Sequence, residues 1–374
     1  MRSIKGERRI SLLSPLAVIF FSCALLGVAL KIGYSVSPSF ADLVNGTLAA
    51  ACRYALAKVT SLFPFSLAEM LLFLSPLLII ALTCFILKAK SRGKRHLIRA
   101  VFSLAGAFLF VFFLFTVTLS PGYHGTRLSE KLSLTEEKAD AETLYRTTMT
   151  VIGELNALCD EIDYSSDGSS SMPFSSAGDL SLHLCTCYSS LSEKYPVIPD
   201  FSSKVKPLVI SPLMTYTHIS GVYSFFTGEA NLNTNYPDFV NVYTAAHEMA
   251  HQRGISREDE ANFAAFLACI SSEDSYVRYS GYLNMYEYLS SDLYSADYSL
   301  FEKAYGELSA DAKNELLAYS VFFDKYRDNT AADISDSLND AYLVNQGTEG
   351  TRSYGLVVDL AISYYSEANQ DFSE

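Results

Sequence analysis

Long apolar runs occupy the first third of this chain, and shorter periodic patterns fill the rest. Residues 10–30 and 100–119 contain no charged side chain, and neither does the slightly shorter run 70–87. About 20 apolar residues span the hydrocarbon core of a bilayer, so these runs predict transmembrane helices over about 10–30, 68–87 and 99–119. A basic segment ahead of the first run is also the layout of a signal peptide. Two further spans and the lack of a convincing cleavage site favour an anchor. Residues 40–62 repeat apolar positions at helical spacing, which fits either a helix at the outer membrane–water boundary or a buried loop helix.

Beyond Pro121-Gly122 the pattern becomes that of a water-exposed domain. Leu144, Met149, Ile152, Leu155 and Leu158 predict a helix over about 134–162, and another follows over about 179–195. Residues 164–178 between them form a Ser-rich stretch that reads as a mobile loop. Pro196, Pro199 and Pro207 punctuate an extended segment in which Val205 to Ser211 suits a short strand. Residues 219–234 alternate as a hairpin does, with Gly228 at a turn or bulge. Within it Glu229, Asn231 and Asn233 share one face, either against a substrate or toward solvent. From residue 273 onward the pattern is helical, and Tyr276, Tyr279, Tyr282, Tyr286 and Tyr288 recur at steps that suit helix packing.

The most informative five residues are His247-Glu248-Met249-Ala250-His251. Two histidines four apart lie on one face of a helix, where both imidazoles can reach one metal ion. Glu248 beside them can hold a water on that metal and take its proton. An ordinary amphipathic helix that happens to carry two histidines is the alternative, and the next dozen residues weigh against it. Gly254 suits a left-handed helix cap, and Ser256 with Asp259 reads as a capping box for a second helix. On that helix Glu258, Ala261, Asn262 and Ala265 share a face small enough to pack on the first helix. Glu258 is the candidate third ligand, with Glu260 its rival; acids also simply favour the first turn of a helix. Asn262 could hydrogen-bond a liganding histidine. A third histidine in the H-E-x-x-H-x-x-G-x-x-H pattern would fall at Arg257, so that version is excluded.

His247-Glu248-x-x-His251 followed by Glu258-x-x-Ala261-Asn262 resembles the gluzincin type of zinc metallopeptidase. More narrowly, the run from Ser220 to Cys269 behind three hydrophobic segments resembles a multi-pass bacterial membrane family described only as a domain of unknown function. Thr227-Gly228-Glu229-Ala230-Asn231, the histidine motif through Phe263, and Ser353-Tyr354-Gly355 carry that second resemblance, which covers nearly the whole chain. The resemblance implies a Zn2+ cofactor and peptide hydrolysis, and names no substrate. The spacing from His251 to Glu258 is shorter than the usual gluzincin layout.

Charge divides the chain in two. Residues 1–120 carry 13 Lys/Arg and 3 Asp/Glu, whereas 121–374 carry 15 and 38. Arg2, Lys5, Arg8 and Arg9 precede the first span, and Lys88, Lys90, Arg92, Lys94, Arg95 and Arg99 lie between the second and third. The positive-inside bias places both groups in the cytoplasm and everything after residue 120 outside. The acidic outer part argues against nucleic-acid binding. The cysteines at 23, 52, 84, 159, 185, 187 and 269 lack the spacing of a disulfide scaffold and read as mostly buried thiols.

No histidine follows His251, so an oxyanion donor downstream must be tyrosine or arginine. Arg352 and Tyr354, in the glycine-flanked segment Gly347 to Gly355, are the candidates, with Tyr282 as the fallback; the alternative is a surface ion pair for Arg352 and simple packing for Tyr354. The expected architecture is a multi-pass α-helical anchor over 1–120, followed by an α+β, mainly helical, zincin-like outer domain over 121–374. The expected activity is zinc-dependent hydrolysis of a peptide or protein substrate on the outer face of the cell membrane. The alternative is a non-catalytic zinc-binding module of the cell envelope, which a closed fourth coordination position would mark. The pattern gives no oligomeric state.

Overall fold

The computed structural model describes residues 11–134 and 140–371. The chain is mainly helical, with one small sheet. Its first part runs Pro15–Val36 (α1), Pro38–Val44 (α2), a π-helical turn Asn45–Ala49, Ala50–Thr60 (α3), Leu67–Ser91 (α4) and Lys94–Thr118 (α5). Helices α1, α4 and α5 are long and apolar enough to cross a membrane. The first starts at Pro15 rather than residue 10 because Ser14 caps it, its Oγ accepting from Ala17 N at 3.0 Å. Helices α4 and α5 run through most of the basic flank, since lysine and arginine are good helix formers. Small residues bring α1 onto α5: Ala17, Ala24 and Gly27 are buried, and Phe20 stacks on Phe110 at 4.8 Å. Leu71, Leu77 and Ile79 of α4 stay exposed, a surface suited to hydrocarbon rather than water.

The segment between α1 and α4 buries one face, with Ala41, Val44, Ala49, Arg53 and Ala57, while Leu43, Leu48, Tyr54, Val59 and Leu62 stay exposed. Arg53, 2% exposed, donates to Asn45 Oδ1 at 2.9 Å, to Asn45 O at 2.9 Å and to Thr118 O at 2.8 Å. Asn45 Nδ2 in turn donates to Gly254 O at 2.9 Å, so α3 and the end of α5 form a seat for the histidine helix.

Next come Ser120–His124 (α6), Leu128–Lys131 (α7), Ala141–Cys159 (α8), Ala177–Lys194 (α9), Val205–Pro207 (β1), Ser211–Met214 (α10), Gly221–Ser224 (β2) and Glu229–Leu232 (β3). Of the predicted helix 134–162, residues 135–139 lie outside the described part, and α8 begins where Asp140 caps it. The Ser-rich stretch is anchored rather than loose, because Ser170 N and Oγ both donate to buried Glu315. The sheet has the order β1-β3-β2, with β3 parallel to β1 and antiparallel to β2. Gly228 turns the hairpin at φ +72°.

The remaining elements are Asp238–Gln252 (α11), Glu258–Ile270 (α12), Ser275–Ala296 (α13), Tyr298–Glu307 (α14), Ala310–Asp324 (α15), Thr330–Asn345 (α16), a 3-10 helix Gly350–Leu356, and Val357–Asp371 (α17). Helix α11 is buried along nearly its whole length, among the sheet, α12 and α13. Phe239, Phe263, Phe266 and Leu289 fill the core beside it. All seven cysteines are free thiols, and Cys159, Cys187 and Cys269 are buried.

Glu229, Asn231 and Asn233 do share a face, but it points inward, and this corrects their reading as substrate contacts. Each is no more than 1% exposed. The Glu229 carboxylate accepts from Leu67 N and Ala68 N, both at 2.9 Å, and so caps the apolar helix α4. Asn231 donates to Val222 O at 3.1 Å, and Asn233 to Ile219 O at 2.8 Å, closing the hairpin from within. We expect Glu229→Ala to lower stability by about 2–3 kcal/mol, read as a drop in melting temperature in detergent, with Glu229→Gln intermediate. An unchanged melting temperature for the alanine variant would remove the capping role.

Candidate metal centre

Helix α11 ends at Gln252, and Gly254 follows with φ +91°, the left-handed cap its sequence predicts. The chain reverses at once into α12, with one change from expectation: no side chain caps α12, and Ser256 Oγ donates to Leu119 O at 2.8 Å. The hydroxyl thus fastens the corner to the end of the third apolar helix instead of closing a capping box. Asp259, the other half of that box, pairs with Arg127 at 3.0 Å.

This corner brings His247, His251 and Glu258 together. One ligand atom from each lies within 4.8 Å of the others, and no other such group is found among the described residues. Glu258 Oε2 lies 3.2 Å from His247 Nε2 and 3.5 Å from His251 Nε2, and the two rings stand nearly perpendicular. His251 Nδ1 donates to Ile255 O at 2.7 Å, which leaves its Nε2 as the free donor atom in the neutral ring. Glu260 faces elsewhere, accepting from Leu128 N at 3.0 Å and pairing with Arg257 at 3.0 Å. Of the two acids weighed as third ligand, the fold therefore brings Glu258 to the histidines. Arg257, at the excluded third-histidine position, donates to Tyr123 O at 2.7 Å.

Electrostatics follow from the burial. Burial opposes the charge on His251, yet Glu258 beside it holds the imidazole up to about 9. Burial likewise opposes ionisation of Glu258, and His251 and His247 override it, keeping that carboxyl well below the usual range. The Glu248 carboxyl is pushed up to about 7 by burial, against the pull of both histidines. Its Oε2 is buried and unpartnered, as is His247 Nδ1.

A cavity of about 730 Å³ opens on this group. His247 and Glu248 line one wall, with Ser220 and Gly221 where β2 begins. A Cβ on Gly221 would stand 2.6 Å from Glu248 Oε1 and 2.6 Å from Thr244 Cγ2, so only glycine lets the strand come this close. Tyr354 and Thr351 line the opposite side from the 3-10 helix. Burial, then the nearby Glu258 charge, raises the Tyr354 hydroxyl well above its ordinary pKa, so it stays a neutral donor. Its oxygen lies 3.3 Å from Asn339 Nδ2.

Arg352 is exposed and outside the cavity, which corrects its candidacy. Thr351 and Tyr354 line the cavity, whereas Arg352 between them does not. Tyr282 is no fallback either, for its ring is packed edge-on against Phe266 in the core. Asn262 lines the cavity but bonds neither histidine: its side-chain amide lies against the Tyr288 hydroxyl. The tyrosine pattern had hidden Tyr288, a second hydroxyl on the cavity wall. Its signal was the polar stripe Asn284, Glu287, Tyr288, Ser291 and Asp292 along α13, at helical steps of three and four.

No curated protein and no solved structure matches this chain. A family model matches residues 47–362, from the loop helix after the first span to the last helix. That match takes in the second and third apolar helices, the hairpin and the histidine corner together. The chain therefore belongs to the family of proteins of unknown function designated DUF3810.

Proposed function

We propose that this chain is a membrane-anchored zinc peptidase that hydrolyses peptide bonds on the outer face of the membrane. The convergence of His247 Nε2, His251 Nε2 and Glu258 Oε2 carries the reading. Their 3.2 and 3.5 Å separations are close to the edge of a tetrahedron with bonds near 2.0–2.1 Å, about 3.3 Å. Two imidazoles and one carboxylate form the donor set of a catalytic zinc site, and the unpartnered Glu248 oxygen beside it suits a base. A structural site would need a fourth protein ligand, and among the described residues no further His, Cys, Asp or Glu joins the three. The zincin-like character of the outer domain is part of this proposal.

Zinc held there would supply Lewis-acid polarisation of the scissile carbonyl and a water of lowered pKa. Glu248 takes the proton of the attacking water and hands it to the leaving amine. The substrate lies extended along β2, which is the edge of the sheet and starts against Glu248 at Gly221. Tyr354, with Tyr288 near it, donates to the oxygen on which negative charge develops. The lysine- and arginine-rich ends of α4 and α5 lie at the far end from the domain, which suits a cytoplasmic turn and an extracytoplasmic site.

Purified full-length protein should contain close to one zinc per chain, and less than about half an equivalent would defeat the proposal. Glu248→Gln should keep that metal and lose at least about a thousandfold in peptide hydrolysis. Gly221→Ala should displace the Glu248 carboxylate and cost about a hundredfold in rate with zinc retained; wild-type kinetics would show that the strand does not constrain the base. Tyr354→Phe should also cost about a hundredfold, mainly in kcat, and an unchanged kcat would pass the donor role to Tyr288.

A further inference from the structure

The cavity is acidic well beyond its metal corner, and the excess is not explained by the chemistry proposed above. Among its lining residues there is no lysine or arginine, while Glu248, Glu287, Asp292 and Asp336 all contribute. Glu287 is the least expected of these. It stands on α13 at the cavity wall, half-buried, and among the described residues no lysine or arginine is paired with it. Burial alone pushes it up to about 7. Asp292 and Asp336 are exposed nearer the mouth.

Two independent features point to a ligand there. Glu248, only 4% exposed, lines the same space and has an unpartnered carboxylate oxygen. Glu287 also lines a second hollow of about 350 Å³, whose other walls include Tyr286, Tyr294, Phe301 and Tyr305. Tyr294 and Phe301 meet edge to face at 5.2 Å, so the hollow has aromatic faces in fixed orientations. A partly buried carboxylate with aromatic rings lining the same hollow is the setting that stabilises an ammonium or guanidinium group and its hydrocarbon stem.

We propose that Glu287 is the specificity-determining residue of a subsite for a positively charged group of the substrate, either a Lys or Arg side chain or a free N-terminal amine. The inference rests on the reading of the cavity as a peptidase site. In that site the cation of the substrate replaces the missing counter-ion of Glu287, while Asp292 and Asp336 attract it to the mouth. A neutral or acidic residue at the same position would leave the partly buried carboxylate uncompensated, so discrimination comes from both partners.

The test uses full-length protein in detergent and four peptides of one alanine-rich sequence. One carries a central Arg, one the neutral isostere citrulline, and each is made with a free or an acetylated N-terminus. Binding is measured on Glu248→Gln protein by fluorescence, and cleavage on wild-type protein by mass spectrometry. The Arg peptide, or the free-amine peptide, should bind at least about tenfold more tightly than its neutral twin. Which pair shows the difference identifies the cationic group. Glu287→Gln combined with Glu248→Gln should bring that ratio close to one, and Glu287→Asp should retain part of it, with bound zinc reporting an intact fold. Equal affinity for all four peptides, or a preference that survives Glu287→Gln, would overturn the subsite. Selective binding without zinc or cleavage would uphold the subsite and defeat the peptidase reading instead.

Discussion

Taking His247, Glu248, His251 and Glu258 out of water together is the constraint on which the rest of this structure depends. Each is under 10% exposed, and a single charge buried to that degree without compensation would cost several kcal/mol. Compensation comes from the group itself, because the two imidazoles converge on one carboxylate oxygen. It holds only if the turn between α11 and α12 is short and fixed. Gly254 supplies the reversal, and the His251–Ile255 hydrogen bond ties ring orientation to the backbone of that turn. Arg253, fully buried next to the motif, donates to Met249 O and Phe201 O and lies over the Tyr188 ring at 4.0 Å. The loop before β1 is thereby locked to the histidine helix.

The apolar helices are structural partners of this corner. Thr118 O, Asn45 and Arg53 form a bonded chain that ends on Gly254 O. Ser256 bonds to Leu119 O, and Gly122 is seated where any side chain would strike Ser256. From the other side Glu229 caps α4, while buried Lys206 donates to Thr60 O at 2.9 Å and to Phe63 O. Phe115 of α5 meets Phe225 and Tyr342, which belong to the cluster that supports Tyr354. A mobile tether between an anchor and a separate domain would need none of these bonds. The corner is fastened to the end of α5 and to the turn before α3, whereas α4 is tied to the sheet through Glu229.

What could be read from the residues alone was whatever depends on local spacing. Three apolar runs of sufficient length, two histidines on one helical face, the glycine cap and the hairpin around Gly228 each follow from steric and periodic rules acting over a few residues. Those rules also brought Glu258 forward, since a helix that restarts within a turn has few directions in which to point. They failed where a polar residue has more than one possible partner. Ser256 with Asp259 has the spacing of a capping box, yet a carbonyl 137 residues away claimed the hydroxyl. Alternation placed Glu229, Asn231 and Asn233 on one face, but only the packing of α4 against the sheet made that face the inner one. Tyr354 and Arg352 were equivalent as side chains in a glycine-flanked loop, and only the fold set the first against the cavity and left the second exposed. The sequence by itself thus determined which segments are apolar or periodic enough to be helices and that two histidines share one helical face, because those are local properties of the chain. The tertiary structure alone decided which carboxylates face the cavity and which hold the fold together, because a charge is assigned its role by partners distant in sequence.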